Sequence, residues 1–140
     1  MTVAFTIQYI SCLFLCGLIW IVQLVHYPAF KYVDSSNFVK FEKFHTQKIS
    51  LIVIPVMLLE LVTAVQLVFM DSSLFWKLNF VLALSIWIVT FIYSAPCHVK
   101  LSKGKNEKII DLLIKTNWLR TFLWSFKAML LTYMMLEIQY

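Results

Sequence analysis

The residues able to do chemistry in this chain are few, and their spacing is informative. His26, His45 and His98 are its three histidines, and Glu42 stands three residues before His45. A Glu-x-x-His pair puts carboxylate and imidazole on one helix face, and helix bundles use that pair to ligate iron or manganese. Three imidazoles with one carboxylate suit zinc, copper or non-haem iron. The spacing therefore makes His26, His45, His98 and Glu42 a candidate metal set. Alternatively, His26 and His98, on different helices, could hold a haem axially. The plainer reading is three interfacial histidines that only hydrogen-bond.

A second group lies in strongly apolar surroundings. Glu60 and Lys127 interrupt hydrophobic runs, and a charge at the centre of a bilayer costs at least about 2.5–3.5 kcal/mol, so it faces a partner or a cavity. Their positions put them at nearly the same depth, and a buried ion pair is expected. It would either fix helix register or serve a proton or ligand role. Asn117, Arg120, Trp124 and Lys127 recur at helical spacing and make one stripe. Trp87, Thr90, Ser94 and His98 make another, and Cys12, Cys16, Gln23 and His26 a third. Lipid offers polar groups no hydrogen bonds, so these stripes should point inward. Arg120 and Asn117 are the candidates for orienting an anionic or carbonyl-bearing group, and Trp87 and Trp124 for lining an apolar pocket.

The elements that position these residues follow from composition. Of 140 residues, 61% are hydrophobic and 14% charged, against roughly 45–50% and 25% in ordinary soluble chains. The chain reads as all-α, an integral membrane four-helix bundle in a single domain, with spans at about residues 3–25, 49–70, 78–97 and 118–136. The first lacks a basic leader and reads as an uncleaved helix rather than a signal peptide. Lys31, Lys40, Lys43 and Lys48 fall on the connection before the second span. Lys100, Lys103, Lys105, Lys108, Lys115 and Arg120 fall at or before the fourth. By the positive-inside rule these two longer basic loops are cytoplasmic and the N and C termini lie outside. Both loops carry apolar residues at helical spacing, Phe38, Phe41 and Phe44 in one and Ile109 to Ile114 in the other. They would lie along the interface or extend the spans that follow. A weak twofold repeat pairs His26-Tyr27-Pro28 with Pro96-Cys97-His98. Trp20, Trp76 and Trp118 fall near span ends, as aromatic belts do.

Several classes are excluded. Three cysteines without a Cys-x-x-Cys give neither a disulfide framework nor a cysteine zinc site. Two glycines leave no Gly-rich phosphate loop. The net charge of +5 reflects topology, not a nucleic-acid surface.

Val25-His26-Tyr27-Pro28, Phe41-Glu42-Lys43-Phe44-His45 and Thr116-Asn117-Trp118-Leu119-Arg120-Thr121 together resemble a group of uncharacterised bacterial four-helix membrane proteins. In size, span number and interfacial histidines the chain is also similar in plan to the haem-binding bacterial protoporphyrinogen oxidase and to anthrone-oxygenase-like proteins. The resemblance implies a bacterial inner (cytoplasmic) membrane protein.

The leading expectation is a metal- or haem-dependent oxidoreductase at the cytoplasmic interface, acting on an apolar small molecule. The alternatives are a proton-coupled small-solute transporter built on Glu60 and Lys127, in a homodimer, and a non-catalytic assembly subunit.

Overall fold

The computed structural model describes residues 2–139. Four long helices follow one another: α1 Val3–Tyr32, α2 Ser35–Met70, α3 Leu74–Leu101 and α4 Glu107–Gln139. No strand occurs among the described residues. Three of the helices, α1, α2 and α3, are long and apolar enough to cross a membrane. Arg120 and Lys127 lower the hydropathy of α4, yet both are buried in the bundle. Each helix packs on its neighbours in sequence, and α1 closes the ring against α4.

The two basic segments expected as long loops are helical over most of their length. Only Val33 and Asp34 separate α1 from α2, and residues 102–106 separate α3 from α4. The apolar periodicity explains why, because it continues without interruption into the hydrophobic runs. Phe38, Ile110 and Leu113 are completely buried and pack with Phe30 and Leu101 as an extension of the core. Two of the basic side chains also act within the fold. The Lys105 ammonium donates to the carbonyls of Lys31 and Val33 at 2.7 and 2.9 Å, satisfying acceptors at the end of α1. Lys31 pairs with Asp111 at 2.5 Å. At the opposite end, Asp71 accepts from the Ser73 amide at 3.0 Å and shapes the tight α2–α3 turn. Trp76 lies in the core against Phe5.

α1 and α3 share a local departure from regular helix. Each contains a five-residue π turn, Val22–His26 in α1 and Thr90–Ser94 in α3. Each turn is followed two residues later by a proline, Pro28 or Pro96. Proline removes the amide that a carbonyl one turn back would use, and a wider turn re-pairs the local backbone. Such single π turns are frequent at functional sites. Here they bring His26, Tyr27, Ser94 and His98 to one end of the bundle. Pro55 does not interrupt α2.

An aromatic cluster supports that end. Phe30 is completely buried, with its ring centroid 5.1 Å from Phe41, 6.1 Å from Phe38 and 5.2 Å from the His45 ring. Removing a buried Phe side chain costs about 3–5 kcal/mol. Phe30→Ala should therefore lower the denaturation midpoint in detergent by that equivalent, and Phe30→Leu by much less. Equal, negligible losses would show that the cluster does not hold the histidine-bearing end together.

Candidate functional site

Tyr27 occupies the junction of α1, α3 and α4. Its hydroxyl lies 3.1 Å from His98 Nε2, and His98 Nδ1 lies 2.6 Å from Glu42 Oε1 on α2. A carboxylate can only accept, so the proton sits on Nδ1 and Nε2 is left to accept from the tyrosine. The result is a three-member relay, Glu42–His98–Tyr27, from three different helices. Glu42 is fully buried, and its Oε2 has no hydrogen-bond partner within the protein. Beside the relay, His26 Nε2 and His45 Nδ1 lie 2.7 Å apart. His45 is buried and its Nε2 is unpartnered.

Arg120 enters from α4. Its Nη1 donates to Ser94 Oγ at 3.2 Å and to Asn117 Oδ1 at 3.3 Å, and its guanidinium carbon lies 5.2 Å from the centre of a Trp124 ring. Its Nε is buried and unpartnered. Asn117 is itself oriented by Gln23, whose Oε1 accepts from it at 2.8 Å while Gln23 Nε2 donates to the Ile114 carbonyl at 3.2 Å. Arg120 is thus held from both sides and presented to a cavity of about 300 Å³. Leu15, Ile19, Val22, Met57, Trp87 and Trp124 line that cavity with apolar surface, and Tyr27, His45, His98 and Arg120 supply its polar end.

Deeper in the bundle, Lys127 Nζ lies 2.6 Å from Glu60 Oε1. Trp124 Nε1 donates to Glu60 Oε2 at 3.2 Å, so both carboxylate oxygens are engaged. A further buried group links α1, α2 and α3: Thr63 donates to Gln8, and Gln8 donates to Asn79 at 3.2 Å.

The histidines and Glu42 are therefore brought together, though not around a common centre. Among the described residues no group of three His, Cys, Asp or Glu side chains is disposed to hold a metal ion. His98 uses one ring nitrogen on Glu42 and the other on Tyr27. His26 and His45 each turn a nitrogen on the other. The His26 and His45 ring centroids are 4.4 Å apart, whereas His98, the expected haem partner of His26, is engaged by Glu42 and Tyr27. As arranged, the donor set does not form the expected metal centre. Asn117, expected to touch a bound group, lies outside the cavity lining and positions Arg120 instead. Trp87 and Trp124 do line the cavity.

Tyr27 is the residue of this cluster that the sequence does not single out. Its neighbours His26 and Pro28 drew attention, but a tyrosine at a span end reads as an interfacial anchor. In the structure it directly follows a π turn and its hydroxyl faces His98. Protein-family models, curated proteins and solved structures give no match to the chain. The chemistry of the site must carry the functional argument.

The Glu60–Lys127 pair generates a test. Removing one partner of a buried pair costs about 3–5 kcal/mol because the other charge is left uncompensated. Glu60→Gln and Lys127→Met should each destabilise the detergent-solubilised protein by about that much, and the double variant by clearly less than the sum. Additive losses in this cycle would show that the two do not interact.

Proposed function

We propose that the chain is a four-span integral membrane protein that binds a small lipophilic molecule through an anionic or carbonyl end and carries out proton transfer on it. The observation that carries this reading is a single fixed guanidinium and a Glu–His–Tyr relay at the polar end of an otherwise apolar cavity. Pockets that orient small molecules have this character, apolar walls with a few placed polar groups. The unpartnered Arg120 Nε and His45 Nε2 add to it, since buried polar atoms in proteins are nearly always satisfied. In this reading Arg120 holds the anion or polarises the carbonyl. Tyr27 exchanges a proton with the bound molecule, His98 takes or returns it, and Glu42 keeps the imidazole in the required tautomer and stabilises its charged form.

Exposed apolar residues on α2 and α3, among them Leu58, Val62, Leu84 and Ile88, support placement in a bilayer, and the basic α1–α2 and α3–α4 ends support a cytoplasmic position for the site. A bacterial inner membrane suits both. Transport through the Glu60–Lys127 pair has less support. Both carboxylate oxygens are satisfied, and neither residue lines the cavity.

Decanoate, decanol and 2-decanone are suitable probes. Decanoate should quench or enhance the tryptophan emission of the protein in lipid nanodiscs saturably, and Arg120→Lys should weaken it at least about tenfold, or about 1.4 kcal/mol. Decanol should be nearly indifferent to that change. Deuterium from solvent should enter the α-carbon of 2-decanone faster with the protein than with Tyr27→Phe or His98→Gln. Equal decanoate affinity in the wild type and Arg120→Lys, with no catalysed exchange, would refute the reading.

A further inference from the structure

The cavity has a side that the bundle does not close. α2 contributes Thr46, Ile49, Ser50, Val53, Ile54 and Met57 to its lining, residues that recur every three or four positions along one helix face. α3 contributes Trp87, Thr90, Phe91, Ser94, Ala95 and His98 in the same way. These two faces should pack against one another if the helices were in continuous contact. They are not. α2 packs on the Leu74–Val89 part of α3 and scarcely touches the Thr90–Ser94 turn. Beyond it the helices meet again where His98 bonds Glu42 at 2.6 Å.

The gap between these two closures is a window. It opens at the Thr90–Ser94 turn, and the α2 face that lines the cavity behind it, Thr46 to Met57, is roughly 16 Å long at 1.5 Å per residue, about half the hydrocarbon thickness of a bilayer. Its rim is apolar and outward: Ile54 is 46% exposed and Phe91 62%. Its back wall is α1 and α4, with Leu15, Ile19 and Trp124. The π turn of α3 lies beside it, at the level where the two helices part. Ser50, Thr90 and Ser94 add hydroxyl-bearing side chains to the lining, and Ser94 accepts directly from Arg120.

We propose that this window is a lateral entrance through which a single-chain amphiphile with a carboxylate or carbonyl end passes from the surrounding lipid leaflet into the cavity. The inference rests on the ligand class proposed above and adds its source and route. A molecule arriving from water would need an opening at the histidine-bearing end. There Tyr27, Phe30, Glu42 and Leu101 are buried and the Glu42–His98 contact bridges α2 to α3. A molecule dissolved in lipid meets the apolar rim with its chain first in register with the leaflet, and its polar end passes the hydroxyls to reach Arg120. The cavity is at the small end of the range for ligand sites, which suits one short chain and not a two-chain phospholipid.

The test uses decanoate carrying a terminal diazirine, photolysed in nanodiscs containing the full chain, with labelled residues mapped by mass spectrometry. Its companion is a butanoate diazirine that stays in water. The window is closed by the double variant Ile54→Trp and Ala95→Trp, and Val62→Trp, at an exposed position of α2 away from the window, controls for added bulk. The wild type and Val62→Trp should be labelled by the decanoate probe at Val53, Met57 and Trp87, and the closed variant at least about tenfold less. Its lipid-facing positions such as Leu58 should still be labelled. Equal labelling of the cavity in the closed variant, or stronger cavity labelling by the butanoate probe than by the decanoate probe, would overturn the lateral route while leaving the ligand class standing. Absence of cavity labelling in the wild type, with lipid-facing residues labelled, would overturn both.

Discussion

Lipid offers no hydrogen bonds, so polar groups carried into an apolar bundle turn inward, toward one another or toward a cavity. The interior of this protein is organised by that constraint. Lys127 neutralises Glu60, Trp124 takes the second oxygen of the same carboxylate, and the face of Trp124 receives the Arg120 guanidinium. Arg120 in turn is fixed by Asn117, and Asn117 by Gln23. One continuous series of contacts therefore runs from the middle of the bundle to the edge of the cavity and sets the position of the group best suited to recognise a ligand. The ion pair and the arginine are not separate features. Disturbing the pair would displace Trp124, and with it one wall of the cavity and one support of the guanidinium.

The second organising element is the pair of π turns ahead of Pro28 and Pro96. Each inserts one wider turn into a helix without ending it. In α1 this turns Tyr27 inward beneath the aromatic cluster of Phe30, Phe38 and Phe41. In α3 it directs Ser94 and His98 toward α4 and α2 while separating the helix from α2 along the window. Satisfied polar groups and a locally widened backbone together leave space where a regular bundle would be filled with side chains.

Much of this arrangement is legible in the sequence. The stripe of Asn117, Arg120, Trp124 and Lys127 has helical spacing in an apolar context, which forces it inward, and all four are buried. The depth of Glu60 against Lys127 follows from counting residues along α2 and α4, which run in the same direction from the basic end of the bundle. Convergence of His26, His45 and His98 follows from their places at three neighbouring helix ends. Partners are harder to read. Spacing puts Glu42 and His45 on one face, but Glu42 bonds His98 of another helix, and His45 bonds His26. A one-residue change in helix register decides such pairings, and the π turns that set it leave only a proline as their trace. The same turns hide Tyr27 and the separation of α2 from α3. The helices also run beyond the apolar spans for a physical reason: hydropathy falls where the lysines begin, but the helical periodicity, and with it the extension of the following spans, does not.

The central claim is that Arg120 receives the polar end of a lipophilic ligand inside the bundle. Solid-state NMR on the protein in lipid, with decanoate labelled at its carboxyl carbon and arginine labelled with nitrogen-15, measures that contact directly, because Arg120 is the sole arginine. The account predicts strong carbon–nitrogen dephasing, corresponding to a charge-assisted hydrogen bond of about 2.7–2.9 Å between nitrogen and oxygen. Saturable decanoate binding without dephasing at the guanidinium would contradict it.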